Sequence, residues 1–199
     1  MNCDRIARWY RWLEYAGFGR ALERRREAFL SDVTNVRRAL VLGDGDGRAL
    51  VALLAAAPNA QIDYVDVSAG MLQLARQRAG SVRVTYRHSD ALSIVLPAAE
   101  YDLIVTHFFL DCFEEEDQAR LVERIARAAM PRVRWLVSEF RNSGVLVPAL
   151  YLFFRAATGL KTRRLVDHHP LFRRHGFTLA RSESAWRGLL ASELWLRVE

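Results

Sequence analysis

The chain has 199 residues, 51% hydrophobic and 26% charged, which fits a folded globular domain with a sizeable core and excludes a disordered chain. Its formal charge of +6 is carried almost wholly by arginines scattered in pairs, with Lys161 the single lysine. Such pairs read as solvated helix faces, so nucleic acid is not expected as a partner.

No apolar run reaches the ~20 residues that span a bilayer. The N-terminus, MNCDRIARWYRWLEYAGF, is charged throughout and lacks the pattern of a signal peptide. A cytoplasmic location is expected, with no transmembrane segment; peripheral contact with a membrane stays open, and the sequence does not give the oligomeric state. Cys3 and Cys112 lie far apart and match no metal-binding spacing. His168, His169 and His175 read as ordinary loop and surface residues, so no metal site is expected.

In chain order, Ile6, Trp9, Tyr10 and Leu13 fall at helical spacing, and GFG at 17–19 breaks that helix. A second helix is expected from about Arg20 to Leu30. RALVLG at 38–43 reads as a strand buried on both faces, as in a parallel sheet. A helix over 47–58 stops at Pro58, and a second strand follows at 61–68. Ser68 is a candidate N-cap for the next helix. Strands are expected at 82–90 and 101–109. An amphipathic helix over 114–130, acidic first and basic last, ends at Pro131 before a strand at 133–140. The apolar stretch 143–160 reads as a helix at the site rim or packed on the sheet. Two terminal strands, near 178–184 and 190–198, form a hairpin, so one must run against the rest.

Alternating strands and helices predict an α/β fold, a doubly wound and mostly parallel seven-stranded sheet with an antiparallel C-terminal strand. The whole chain, 1–199, reads as one domain: a helical N-terminal lid over 1–36 and a Rossmann-like core over 37–199. Ligands of such sheets bind beyond the carboxyl ends of the strands. Those ends lie at Gly43–Gly47, Asp66–Ala69, Ser89–Leu92 and Thr106–Phe113.

The turn after the first strand is GDGDG, Gly43, Asp44, Gly45, Asp46 and Gly47. Its third glycine comes one residue earlier than in G-x-G-x-x-G. Glycines let a ligand approach the backbone, but two aspartates discourage a phosphate and suit a cation. Asp66, ending the second strand, can accept from both hydroxyls of a ribose. Asp90 could accept from an exocyclic amine, with Met71 and Leu92 as apolar surfaces for the ring.

Taken together, LVLGDGDG, YVDVSAGML, HSDAL and YDLIVTHFFLDCF resemble the class I S-adenosylmethionine-dependent methyltransferases, over about residues 37–140. The resemblance implies S-adenosylmethionine as cofactor, with Gly43–Gly47 near its methionine part, Asp66 on the ribose and Asp90 on adenine. Val67, Ala91, Thr106 and His107 complete the expected cofactor wall. The family usually has an acid where this chain has Val41; Asp44, Asp46 or both are expected to take over part of its role toward the positive sulfonium and α-ammonium. His107, Asp111 and Cys112 lie just past the fourth strand, and His107 and Asp111 are the candidate catalytic residues. A plain wall of the cleft is the favoured reading of His107, Asp111 reads also as a helix cap, and Cys112 lacks an argument for reactivity.

Tyr10, Phe108, Phe109 and Tyr151, with Trp9, Phe113 and Phe154, are candidates for an aromatic pocket suited to a small lipophilic or aromatic acceptor. The N-terminal helices loosely resemble the lid of quinone- and phospholipid-type methyltransferases. A nicotinamide-dependent oxidoreductase and a non-catalytic S-adenosylmethionine-binding protein are the alternatives.

Overall fold

The computed structural model describes residues 18–141 and 165–198. The first expected helix, with Trp9 and Tyr10, and the apolar stretch carrying Tyr151 and Phe154 lie outside the described residues.

Seven strands form one sheet in the order β3-β2-β1-β4-β5-β7-β6: β1 Arg38–Leu42, β2 Gln61–Asp66, β3 Val84–His88, β4 Tyr101–His107, β5 Ala129–Phe140, β6 Thr178–Ala185 and β7 Leu190–Leu196. The first five are parallel; β7 runs antiparallel to both β5 and β6. This is the expected fold class. Strand order reverses between β1 and β4, which opens a crevice beyond their carboxyl ends.

The strands are apolar on both faces because both faces are covered. Leu40 and Leu42 of β1 join a core with Ile104, Trp135 and the buried stripe Leu121, Val122 and Ile125 of α4 (Glu115–Ala128). Ala39 and Val41 alternate to the other face. They join Leu50, Leu53 and Leu54 of α2 (Arg48–Ala56) and Leu72 and Ala75 of α3 (Ala69–Ala79). Val41 is therefore core, 1% exposed. α1 (Ala21–Glu27) hangs on the carbonyl of Arg25, which accepts from Ser138 Oγ at 2.9 Å and Ser192 Oγ at 2.7 Å. α5 (His169–Arg174) packs Phe172 against Trp135 at 4.2 Å between ring centroids.

The local signals behave as read. Ser68 caps α3 by accepting from Met71 N at 3.1 Å, and left-handed Gly80 ends it. Two boundaries differ. The second helix stops at Glu27, and a 3-10 turn at Leu30–Asp32 follows. Pro131 does not separate helix from strand: α4 ends at Ala128, and Ala129 already pairs with Tyr101 of β4. Proline cannot donate to a ladder, so Pro131 and left-handed Arg132 fall where the register shifts, before Arg134 pairs with Leu103.

Candidate functional site

The crevice is a cleft of about 780 Å³, its open mouth included, bounded by the turn after β1, the ends of β2 and β4, and α1. Gly43, Gly45 and Gly47 all adopt left-handed backbone, φ +63°, +70° and +79°. Their neighbours separate their roles. A Cβ on Gly43 would lie 2.0 Å from the ring of Phe109, so that ring rests directly on the turn. One on Gly47 would lie 2.7 Å from Cα of Ala75. Gly47 is thus a packing glycine where α2 meets α3, and it does not line the cleft, contrary to expectation. Tyr64, missed in the sequence because it reads as plain core, ties the turn down by donating to Gly45 O at 2.9 Å.

The two aspartates of the turn part company. Asp44 faces His107, with Oδ1 3.1 Å from His107 Nδ1 and both side chains buried. Asp44 Oδ2 is buried and has no hydrogen-bond partner among the described residues. Asp46 instead meets Arg48 at 3.0 Å and Arg78 at 2.8 Å. Burial works to raise its pKa, but the two guanidiniums outweigh that and hold it below the ordinary value. Asp46 lines the cleft, but a carboxylate so neutralised offers less to a ligand cation than Asp44 does.

Asp66 lines the cleft and fixes one oxygen by accepting from Ser68 N at 2.8 Å. Val67, Met71, Ala91 and His107 also line it. Three expected contributors do not. Asp90 is exposed and caps its own turn, accepting from Leu92 N at 2.9 Å, while Ser89 faces the cleft. Leu92 packs against the core. Thr106 is fully buried and accepts from Trp135 Nε1 at 2.9 Å, because its strand position points into the sheet's packed face.

The loop after β4 forms the aromatic wall. Phe108 sits in left-handed backbone, φ +52°, with its ring 5.0 Å from that of Phe140 and 5.1 Å from the guanidinium of Arg26. Phe109 meets Phe113 edge-on at 5.0 Å. Asp111 lies in the 3-10 turn Leu110–Cys112 and is not itself part of the lining, whereas Cys112 and Phe113 are. Burial, opposed by hydrogen bonds from Cys112 and Glu139, pushes Asp111 up to about 6. Burial and the neighbouring Asp111 push Glu139 well above the glutamate range, and burial does the same to the Cys112 thiol.

Arg26, Arg48 and Glu139 were not foreseen as site residues. Arg26 stands in an arginine run with nothing to single it out, and the SEF of β5 hints only at an acid near a strand end. Tyr10 and Tyr151 lie outside the described residues.

Away from the cleft, the fold gathers His168, His169 and Glu193, with possible ligand atoms within 4.8 Å of one another. Glu193 is already saturated. It accepts from His168 Nε2 at 2.9 Å, His169 Nε2 at 2.8 Å, Trp195 Nε1 at 2.7 Å and Arg141. A guanidinium on the shared carboxylate leaves no place for a metal cation, and the cluster reads as a structural knot.

A sequence model of the family described as "Methyltransferase domain" matches residues 39–132, the span that holds the glycine turn, Asp66 and the aromatic wall. That span is just under half of the chain, and over it the chain carries a methyltransferase domain. Solved methyltransferase structures share the fold. They include the mitomycin 7-O-methyltransferase MmcR, 17% identical with a TM-score of 0.72 over 97% of this chain and 60% of that one. The N-methyltransferase NodS from Bradyrhizobium japonicum, in complex with S-adenosyl-L-homocysteine, is 15% identical with a TM-score of 0.69 over 90% and 89%. An S-adenosylmethionine-dependent methyltransferase from Mesorhizobium loti is 20% identical with a TM-score of 0.69 over 90% and 97%. The chain spans about 60% of the mitomycin enzyme's length but most of the other two. No curated protein matches its sequence. The cleft suits the cofactor: the orphaned, buried Oδ2 of Asp44 is an acceptor waiting for a cationic donor. Among the described residues, no helix is long and apolar enough to cross a membrane.

Proposed function

We propose that this methyltransferase moves a methyl group to a small lipophilic or aromatic acceptor by in-line displacement. The observation that carries this reading is a single cleft with an unpartnered carboxylate oxygen, that of Asp44, beside a wall of Phe108, Phe109 and Phe113. S-adenosylmethionine supplies the electrophilic methyl on its sulfonium. Asp44 takes the α-ammonium, and His107 fixes the Asp44 carboxylate in place. His107 is then a positioning residue rather than a base. Asp66 holds the ribose hydroxyls, and Met71 and Ala91 flank the adenine. The phenylalanines exclude water and orient the acceptor, which is much of what methyl transfer asks of a protein. α1 is the described part of the N-terminal lid and reaches the cleft through Arg26. A cytoplasmic location belongs to the same proposal.

Calorimetry with S-adenosylmethionine, S-adenosylhomocysteine and NADH, followed by turnover of a panel of phenols, quinols and amines, tests it. Binding of the first two and methylation of an aromatic acceptor are expected. Stabilisation by NADH alone would overturn the reading, and binding without any turnover would leave a non-catalytic binding protein.

A further inference from the structure

Tyr64 stands in β2, fully buried, and pairs in register with Val41 of β1. Partners in a parallel pair point to the same face, and both join the core under α2 and α3. A phenol therefore stands beside the place of the missing acid. Its hydroxyl reaches the glycine turn and donates to Gly45 O at 2.9 Å. Tyr64 is not part of the cleft lining, whereas Gly45 and Asp46 are. The Gly45 carbonyl thus points away from the cleft and into the core. A trans peptide sets the next N–H antiparallel to its carbonyl. The Asp46 N–H is thereby turned to the cleft side, and among the described residues it donates to no backbone carbonyl. The following peptide is held from behind as well, since Asp46 O accepts from the Arg78 guanidinium.

We propose that Tyr64 is the positioning residue of the cofactor turn: its hydroxyl locks the Gly45–Asp46 peptide so that the Asp46 N–H meets the cofactor's carboxylate, a bracing role taken over from the acid absent at Val41. This rests on the reading that the cleft takes S-adenosylmethionine with its amino-acid end at the turn. That end is a zwitterion. Asp44 answers its ammonium, and the carboxylate then needs a donor on the same turn. A backbone N–H fixed in direction is such a donor, and a charged acceptor makes the bond roughly twice as strong as a neutral one. Left-handed Gly45 is the soft point, because glycine lets the peptide rotate at little cost. The Tyr64 hydroxyl removes that freedom. An acid beneath the turn would add a third carboxylate to Asp44 and Asp46, whereas a neutral phenol braces the peptide without that repulsion. Burial and the carboxylates of Asp44, Asp66 and Asp46 push the Tyr64 pKa up, so the hydroxyl keeps its proton.

The test is calorimetry of the full chain with S-adenosylhomocysteine, which keeps the amino-acid end, and with 5′-methylthioadenosine, which lacks it. In Tyr64→Phe the affinity for S-adenosylhomocysteine falls roughly tenfold, while that for methylthioadenosine changes by less than about twofold. Tyr86→Phe is the control for loosened packing. Tyr86 lies 5.8 Å from Tyr64 between ring centroids and donates to Ala75 O at 3.4 Å, away from the turn. Both affinities hold in that variant. A second measurement needs no variant and stands even if Y64F does not fold. In the wild type, the Asp46 amide proton resonance moves downfield on adding S-adenosylhomocysteine, as a new bond to a carboxylate requires, and stays in place with methylthioadenosine. Equal losses for the two ligands in Y64F, unchanged affinity for both, or an Asp46 amide that S-adenosylhomocysteine does not move overturns the proposal while the cofactor reading stands. Failure of that reading looks different: the wild type binds neither ligand, and the proposal falls with it.

Discussion

His107 Nδ1 lies 3.1 Å from Asp44 Oδ1, while Asp46, two residues on, is enclosed by Arg48 and Arg78. Two acids of one turn thus have different work. Asp44→Asn removes a charge-assisted contact to the cofactor ammonium and is expected to weaken S-adenosylmethionine binding by about tenfold to a hundredfold, or ~1.5–3 kcal/mol. Its melting temperature changes little. Asp46→Asn leaves two guanidiniums without their shared partner and lowers the melting temperature, with a smaller effect on affinity. Calorimetry and thermal unfolding of both variants check this; equal losses of affinity would abolish the distinction.

The glycines of the turn differ in the same way. Gly47→Ala sets a Cβ 2.7 Å from the Ala75 backbone, which cannot move without parting α2 from α3. A loss of about 2–3 kcal/mol in denaturant unfolding is expected. Gly45→Ala meets nothing nearer than Met71 Sδ at 4.0 Å. Only the left-handed backbone opposes it, at about 1–2 kcal/mol.

Glu193 gives the fold an acid-sensitive point. Burial opposes its ionisation, but His168, His169 and Arg141 outweigh burial and hold its pKa far below the ordinary range. A depressed pKa stabilises the fold above the unfolded value, roughly 4.3, and that stabilisation is lost as pH falls below it. Glu193→Gln should therefore cost on the order of 3 kcal/mol at neutral pH. Its penalty should shrink in acid, as followed by thermal melts over a pH series.

Asp111 carries the opposite sign. Its pKa is raised to about 6, so its contribution is fully present below the unfolded value and lost as pH rises through about 6. Asp111→Asn should stabilise the protein at neutral pH by on the order of 1 kcal/mol and lose that advantage in acid. A variant less stable than wild type at neutral pH would contradict a raised pKa at Asp111.

Much of the fold was legible because its signals are local. Buried strands, the Ser68 cap, the Gly80 stop and the charge gradient of α4 each act within a few residues. Pro131 misled because a proline that stops a helix and a proline at a bulge look alike in sequence; only pairing of Ala129 with Tyr101 tells them apart.

The sequence by itself determined the sheet, the glycine turn, the likeness to methyltransferases and the acids at the strand ends. The positions of those acids follow from chain order and strand periodicity. Only the tertiary structure decided which of them are available. Asp46 is neutralised by Arg78, 32 residues away, Asp90 caps its own turn, and Asp44 keeps an unpartnered oxygen in the cleft. Glu139 holds the loop after β4 through amides about 30 residues earlier in the chain. Whether a carboxylate serves a ligand or the fold depends on its neighbours in space, and those are set by packing between distant segments.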